Sequence, residues 1–163
     1  MPTDPIRRTI VTAIRDRLAA ITMGTTYFYT PRDVGTQLKG FNEVAGFPAY
    51  CVIGGDEQPS ELTNAEITER LTVHLVVWVS DDKDRHLMLD RALADVKRAL
   101  YVDNDLAGLV LSLTPGPTRT DESALFATSG VGRIFLGCRR CGRVVPQFRC
   151  YGNMHVPGIV LCR

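Results

Sequence analysis

The chain has 163 residues, a length that suits one compact domain able to bury a substantial hydrophobic core. Hydrophobic residues make up 45% and charged residues 23% of the sequence, which is the ordinary balance of a soluble globular protein. A formal net charge of +1 favours no particular class of partner. No apolar run approaches the roughly 20 residues of a membrane span, and the charged residues near the N-terminus argue against a secretory signal.

Charge is distributed unevenly along the chain. All eighteen acidic residues lie at or before Glu122, whereas residues 123–163 hold six arginines, no lysine and no acidic residue. Such an asymmetry predicts a basic C-terminal segment with its own binding role. The five cysteines are an odd number, and four of them fall in the last 26 residues. They therefore do not form a disulfide framework, and we expect the protein to be made in a reducing cytoplasm.

The first element is an amphipathic helix over Ile6–Ile21. Thr3 and Asp4 are candidate N-terminal caps, Pro5 fits a first helical turn, and Gly24 is a plausible stop. Apolar residues recur at steps of three and four through this segment, and arginines occupy the opposite side. The apolar positions are Ile6, Ile10, Val11, Ile14, Leu18 and Ile21.

A β-prone run, Tyr27–Thr30, precedes a mixed segment, Pro31–Phe47, which predicts a loop long enough to be functional. Pro48–Ile53 predicts a strand that ends at Gly54 and Gly55, followed by a polar stretch, Asp56–Asn64.

Leu71–Val79 is the clearest strand of the sequence. Its odd-numbered residues are all apolar, whereas the alternate face begins with Arg70 and Thr72 and ends with Val76 and Trp78. Because the alternation fails only at the far end, we expect that end to be covered. Trp78 is accordingly a candidate interface anchor.

Three aspartates, Asp81, Asp82 and Asp84, precede a second helix and predict its N-terminal capping. The buried stripe of this helix comprises Leu89, Ala92, Leu93, Val96, Ala99 and Leu100. Leu106–Leu113 predicts a strand broken by Pro115-Gly116-Pro117, and Ala124–Thr128 with Val131–Leu136 predicts a closing pair. This order predicts an α+β fold, a mostly antiparallel sheet packed against two helices.

Motifs for catalysis and cofactor binding are weak, so we predict no catalytic, cofactor-binding or metal-binding residue. Gly54-Gly55 and Gly130-Val131-Gly132 lack the setting of a phosphate-binding loop, and no nucleophile elbow is present. His74, His86 and His155 stand in unrelated parts of the sequence. The three aspartates are suitable ligands for a hard cation, but helix capping is the favoured interpretation.

The C-terminal segment offers one alternative. Cys138-Arg139-Arg140-Cys141-Gly142 has the spacing of a zinc knuckle, and Cys150, His155 and Cys162 are candidates to complete the site. No second matching pair is present, so unpaired thiols are the favoured interpretation. The surrounding arginines and aromatic residues suit either nucleic acid or an acidic protein surface, including that of a neighbouring copy. They are Arg139, Arg140, Arg143, Arg149, Arg163, Phe148 and Tyr151.

Up to about Leu113 the chain resembles the tail terminator, or tail completion, proteins of long-tailed phages. The resemblance rests on the opening helix, the strand and turn Phe47–Glu57, the strand Leu71–Val79, the acidic turn, and the helix ending in Asp95–Leu100. It implies a structural virion subunit, not an enzyme, that forms a hexameric ring on the last ring of the tail tube. That ring stops tube growth and provides a docking surface for the head or neck.

The resemblance divides the chain into a terminator-like domain, residues 1–136, and an irregular basic extension rich in cysteine, residues 137–163. It implies as partners further copies of the chain, the tube protein and a neck protein, with no membrane and with nucleic acid at most passing through the ring lumen. Assembly is expected in the host cytoplasm. Two alternatives stay open: another head–tail connector protein, and a small zinc-containing nucleic-acid-binding module.

Overall fold

A computed structural model describes residues 5–62, 66–81, 83–121 and 129–143, with the backbone alone for residues 60–62, 66, 67, 115, 121 and 129–143. Two helices pack on one face of a five-stranded sheet with strand order β1-β2-β3-β5-β4. β1 runs parallel to β2 and the other pairs are antiparallel, which confirms the predicted α+β fold. The elements are α1 (Ile6–Ala19), β1 (Asp33–Gly35), β2 (Ala49–Leu62), β3 (Glu66–Ser80), α2 (Arg85–Tyr101), β4 (Ser112–Asp121) and β5 (Ser129–Arg143).

Helix α1 confirms the predicted amphipathic helix, although it ends at Ala19. Four of its predicted apolar residues, Ile10, Val11, Ile14 and Leu18, are buried. Ile21, beyond the helix, is also buried, so the apolar pattern extends past the helical hydrogen bonds. Thr3 and Asp4, the predicted caps, lie outside the described residues.

β2 does not end at the glycine pair, so the prediction of a strand confined to Pro48–Ile53 was wrong. The strand continues to Leu62, with a change of register between Gly54 and Glu57 that has the character of a β-bulge. Neighbouring groups leave little room for side chains at the glycine pair. A Cβ at Gly55 would lie 2.6 Å from Nε2 of His74. The Arg7 guanidinium donates to the Gly54 and Gly55 carbonyl oxygens at 2.8 and 2.7 Å.

β3 and α2 match the sequence predictions closely. The five odd-numbered apolar residues from Leu71 to Val79 are buried beneath the helices. All six residues of the predicted α2 stripe are buried as well. Both elements carry strong periodic patterns, with period 2 for the strand and period 3.6 for the helix.

The predicted strand Leu106–Leu113 is mostly a turn. Leu106 and Ala107 have positive φ angles of 52° and 59°, which are incompatible with a strand. The Asp103 carboxylate holds this turn by accepting from the Ala107 N–H at 3.0 Å and by pairing with Arg17 of α1. Hydrogen bonds from Asp105 and then from Arg17 lower the pKa of Asp103 to about 2.

The sheet closes with two strands that differ from prediction. β4 runs through Pro115-Gly116-Pro117, which we expected to break a strand, because β4 is an edge strand with an irregular register there. β5 contains the predicted Val131–Leu136 but continues to Arg143. Residues 137–143, expected to be irregular, pair with the first half of β3. Ala124–Thr128 lies outside the described residues, and the division at residue 136 stays a prediction.

A buried carboxylate fixes the segment between α1 and β1. Asp95 of α2 is 0% exposed and accepts from the backbone N–H groups of Phe28 and Tyr29 at 2.9 and 3.0 Å. Arg98 lies 4.0 Å from Asp95 and donates to the Thr26 carbonyl oxygen. The β-prone run Tyr27–Thr30 therefore forms no strand, because its N–H groups bond to a helix side chain.

We predict that Asp95→Ala lowers the free energy of unfolding by about 3 kcal/mol, because two backbone donors lose a charged acceptor. Chemical denaturation monitored by circular dichroism measures the change. Asp90→Ala, an exposed carboxylate on the same helix, is the control and should change stability by less than about 0.5 kcal/mol. Equal effects of the two substitutions would contradict this role for Asp95.

Candidate assembly surfaces

The segment Pro31–Phe47, predicted as a functional loop, is ordered around one carboxylate. Lys39 Nζ donates to Asp33 Oδ1 and Oδ2 at 2.8 and 2.7 Å, and the Ala45 N–H donates to Oδ2 at 3.0 Å. The Lys39 hydrogen bond, followed by that of Ala45, lowers the pKa of Asp33. Because one side chain binds both ends of the turn, the loop has a defined shape.

Aromatic residues of this loop cover the far end of the open sheet face. Phe41 stacks on Phe47, with ring centroids 4.8 Å apart, and meets the edge of Trp78 at 6.2 Å. Cys51 and Val76 are buried in the same region, where burial raises the pKa of the Cys51 thiol. The cover expected over Trp78 thus comes from the chain's own loop. An interface role for Trp78 has to include that loop.

Two further features of this region bear on binding. The Nε1 of Trp78 is buried and makes no hydrogen bond within the described part of the chain. Leu38, between Asp33 and Phe41 in the loop, is 64% exposed. A leucine exposed on a loop of defined shape is suited to contact another protein.

The acidic turn after β3 caps α2. Asp84 accepts from the Leu87 N–H at 2.9 Å, which confirms its predicted capping role. Asp81 accepts from the Lys83 N–H at 2.8 Å and so shapes the turn, whereas Asp82 lies outside the described residues.

The remaining candidates for chemistry are dispersed. His74 packs over Gly55 on the open sheet face, and His86 is exposed in the first turn of α2. Cys138 and Cys141 lie opposite Leu71 and Thr68 in the continuous strand β5, not in the tight turn of a zinc knuckle. Within the ranges described above, no group of three His, Cys, Asp or Glu residues is placed to hold a metal ion. Cys150, His155 and Cys162 fall outside those ranges.

Comparison with known families gives a match over most of the chain. A family model described as Bacteriophage Tail Tube Terminator Protein matches residues 5–134. The chain belongs to this terminator family. No curated protein matches the sequence.

Membership in the terminator family makes the chain a structural component of a phage tail. The match ends within β5 and includes both helices, the Asp33 loop and the β2–β3 hairpin. None of the helices in the described ranges is long and apolar enough to cross a membrane. The segments on which the sequence resemblance rests therefore lie within the residues that the family model matches. These residues include most of the fold.

The side chains that shape the Pro31–Phe47 loop were not singled out from the sequence. Asp33 and Lys39 lie in a segment without periodicity, so no local signal distinguishes them from other exposed charges. A weak signal is the pair Phe41 and Phe47 in a loop of mixed character. Only the tertiary structure shows that these rings and Trp78 share one cluster.

We predict that the loop loosens in acid. Since the folded-state pKa of Asp33 is depressed, its contribution to stability is present above the ordinary value of 3.8. That contribution is lost as the pH falls through the lower folded-state pKa. Trp78 is the sole tryptophan, so its fluorescence reports the contact with Phe41. Loosening of the loop in acid should shift the Trp78 emission of the wild type to the red. Asp33→Asn should show this red shift already at pH 7, whereas Asp90→Asn should behave like the wild type. A wild-type emission that is unchanged by acid while the helices stay folded would contradict the prediction.

Proposed function

We propose that copies of the chain close into a hexameric ring on the last ring of the tail tube, where the ring ends tube growth and offers a surface to the head or neck. The match to the tube terminator family is the observation that carries this proposal. The proposed mechanism is purely structural and needs no covalent step. Closed symmetry limits the assembly to one layer, because every lateral contact is used within the ring.

The two sides of the sheet support this proposal because they differ strongly. Both helices cover one side of the sheet. On the other side no helix covers the strand side chains that the structure describes, and the Asp33 loop packs over the end that contains Trp78. A terminating subunit requires one surface that binds the tube and a second that does not accept another tube subunit. We assign tube contact to the loop, because Leu38 is exposed on it and the Asp33 carboxylate fixes its shape.

Electron microscopy of the purified protein, alone and mixed with tube protein, tests the proposal. We expect rings with a central pore close to the tube diameter, and tubes that carry one additional ring at one end. Adding the protein during tube polymerisation should shorten the tubes. A protein that stays monomeric, leaves tube length unchanged and is missing from assembled virions would overturn the proposal.

Leu38→Glu tests the assignment of the loop. Introducing a charge at an apolar contact should weaken capping of the tube by at least about tenfold, with the melting temperature unchanged because Leu38 is largely exposed. Leu111→Glu is a matched control, since Leu111 is 58% exposed and lies after α2. Capping is measured by binding of labelled protein to preformed tubes. Equal capping by the two variants would exclude the loop as the tube contact.

A further inference from the structure

A basic groove lies between α1 and the segment that follows β1. Arg8, Val11, Thr12 and Arg15 line one wall, and residues 35–37 line the other. The groove has a volume of about 450 Å³. Positions 8, 11, 12 and 15 follow the helical repeat, so these residues form one stripe along α1. Arg8 and Arg15 are about 10 Å apart along the helix axis.

The groove is suited to an acidic partner. Arg8 is exposed, and none of the described residues that line the walls is acidic. Arg15 Nε lies 2.8 Å from Asp16 Oδ1, so this guanidinium already pairs with a carboxylate of the same helix, and 38% of the Arg15 side chain is exposed. The partly exposed guanidinium can bind a further carboxylate that enters the groove, because one acid does not occupy all of its N–H donors.

An acidic segment exists on the same chain. Beyond the bulge at Gly54, the hairpin formed by β2 and β3 carries five acidic residues and one basic residue, Arg70. The acidic residues are Asp56, Glu57, Glu61, Glu66 and Glu69. The part of β2 from Asp56 to Leu62 has a length of about 20 Å.

The hairpin extends past its contact with α1. At the N-terminal end of the helix, Arg7 lies in a crevice with Glu57 and Glu69. The strands continue beyond this crevice toward Leu62 and Glu66. Arg7 therefore serves the contact within the subunit, whereas Arg8 and Arg15 line a separate groove.

We propose that the Arg8–Arg15 groove receives the acidic β2–β3 hairpin of a second copy of the chain, and that this contact joins neighbouring subunits head to tail. The contact deepens the proposed ring function and rests on it. The two surfaces are different and complementary in charge, as a head-to-tail interface requires. Because the two surfaces carry opposite charges, they also determine the orientation in which each subunit joins the next.

A charge-exchange experiment tests the contact. The groove variant is Arg8→Glu with Arg15→Glu, and the hairpin variant is Asp56→Lys with Glu61→Lys. Each variant alone should associate at least about tenfold more weakly than the wild type, because like charges then face each other. An equimolar mixture should assemble again, since each groove then finds a hairpin of opposite charge on the other variant. Lys83→Glu with Lys97→Glu matches the groove variant in charge change and should assemble normally.

Mass photometry and sedimentation measure association, with and without preformed tubes, and circular dichroism verifies folding. Restored assembly in the mixture supports the contact. Normal assembly of the groove variant overturns it and leaves the ring intact as a proposal. If the groove variant loses assembly and mixing with the hairpin variant does not restore it, the proposed contact is also overturned. The groove is then assigned to tube protein or nucleic acid. A wild-type protein that forms no ring overturns the proposed function itself.

Discussion

Burial of one face of β3 beneath both helices is the constraint on which the rest of the structure depends. The odd-numbered apolar residues from Leu71 to Val79 are at most 4% exposed, and a shift of one residue would expose all of them. β3 also pairs with β2 on one side and β5 on the other. The register of β3 therefore fixes where the Gly54–Gly55 bulge lies along the strand. It also fixes the direction of the β2–β3 hairpin and the position of Trp78 beneath the Asp33 loop.

Elements with a strong repeating pattern could be predicted from sequence, whereas elements that depend on pairing could not. α1, β3 and α2 show unbroken periodicity over several turns or residue pairs. Gly54-Gly55 and Pro115-Gly116-Pro117 are local signals for a turn, yet both lie within strands. The neighbouring strands supply the hydrogen bonds, a bulge absorbs the glycines, and an edge position tolerates prolines. None of these conditions is visible in a local window.

The candidate surfaces show the same limit. Failure of alternation at Trp78 correctly predicted a covered end, but it could not identify Phe41 as the cover, because those residues are distant in sequence and meet only through the loop. The length of Pro31–Phe47 predicted a functional loop. Its shape comes from the hydrogen bonds that Asp33 accepts from Lys39 and Ala45, and a single acid in a segment of mixed character carries no signal for such a role.

Charge placement also constrains how copies of this chain can meet. The stripe on α1 is basic and the distal hairpin is acidic. A two-fold contact centred on either surface would place like charges opposite each other, which costs several kcal/mol where they are desolvated. A head-to-tail contact places acid opposite base and leaves one of each surface free for the next copy. Repetition of such a contact gives a ring when the rotation between copies closes, and closure satisfies every groove and every hairpin at once.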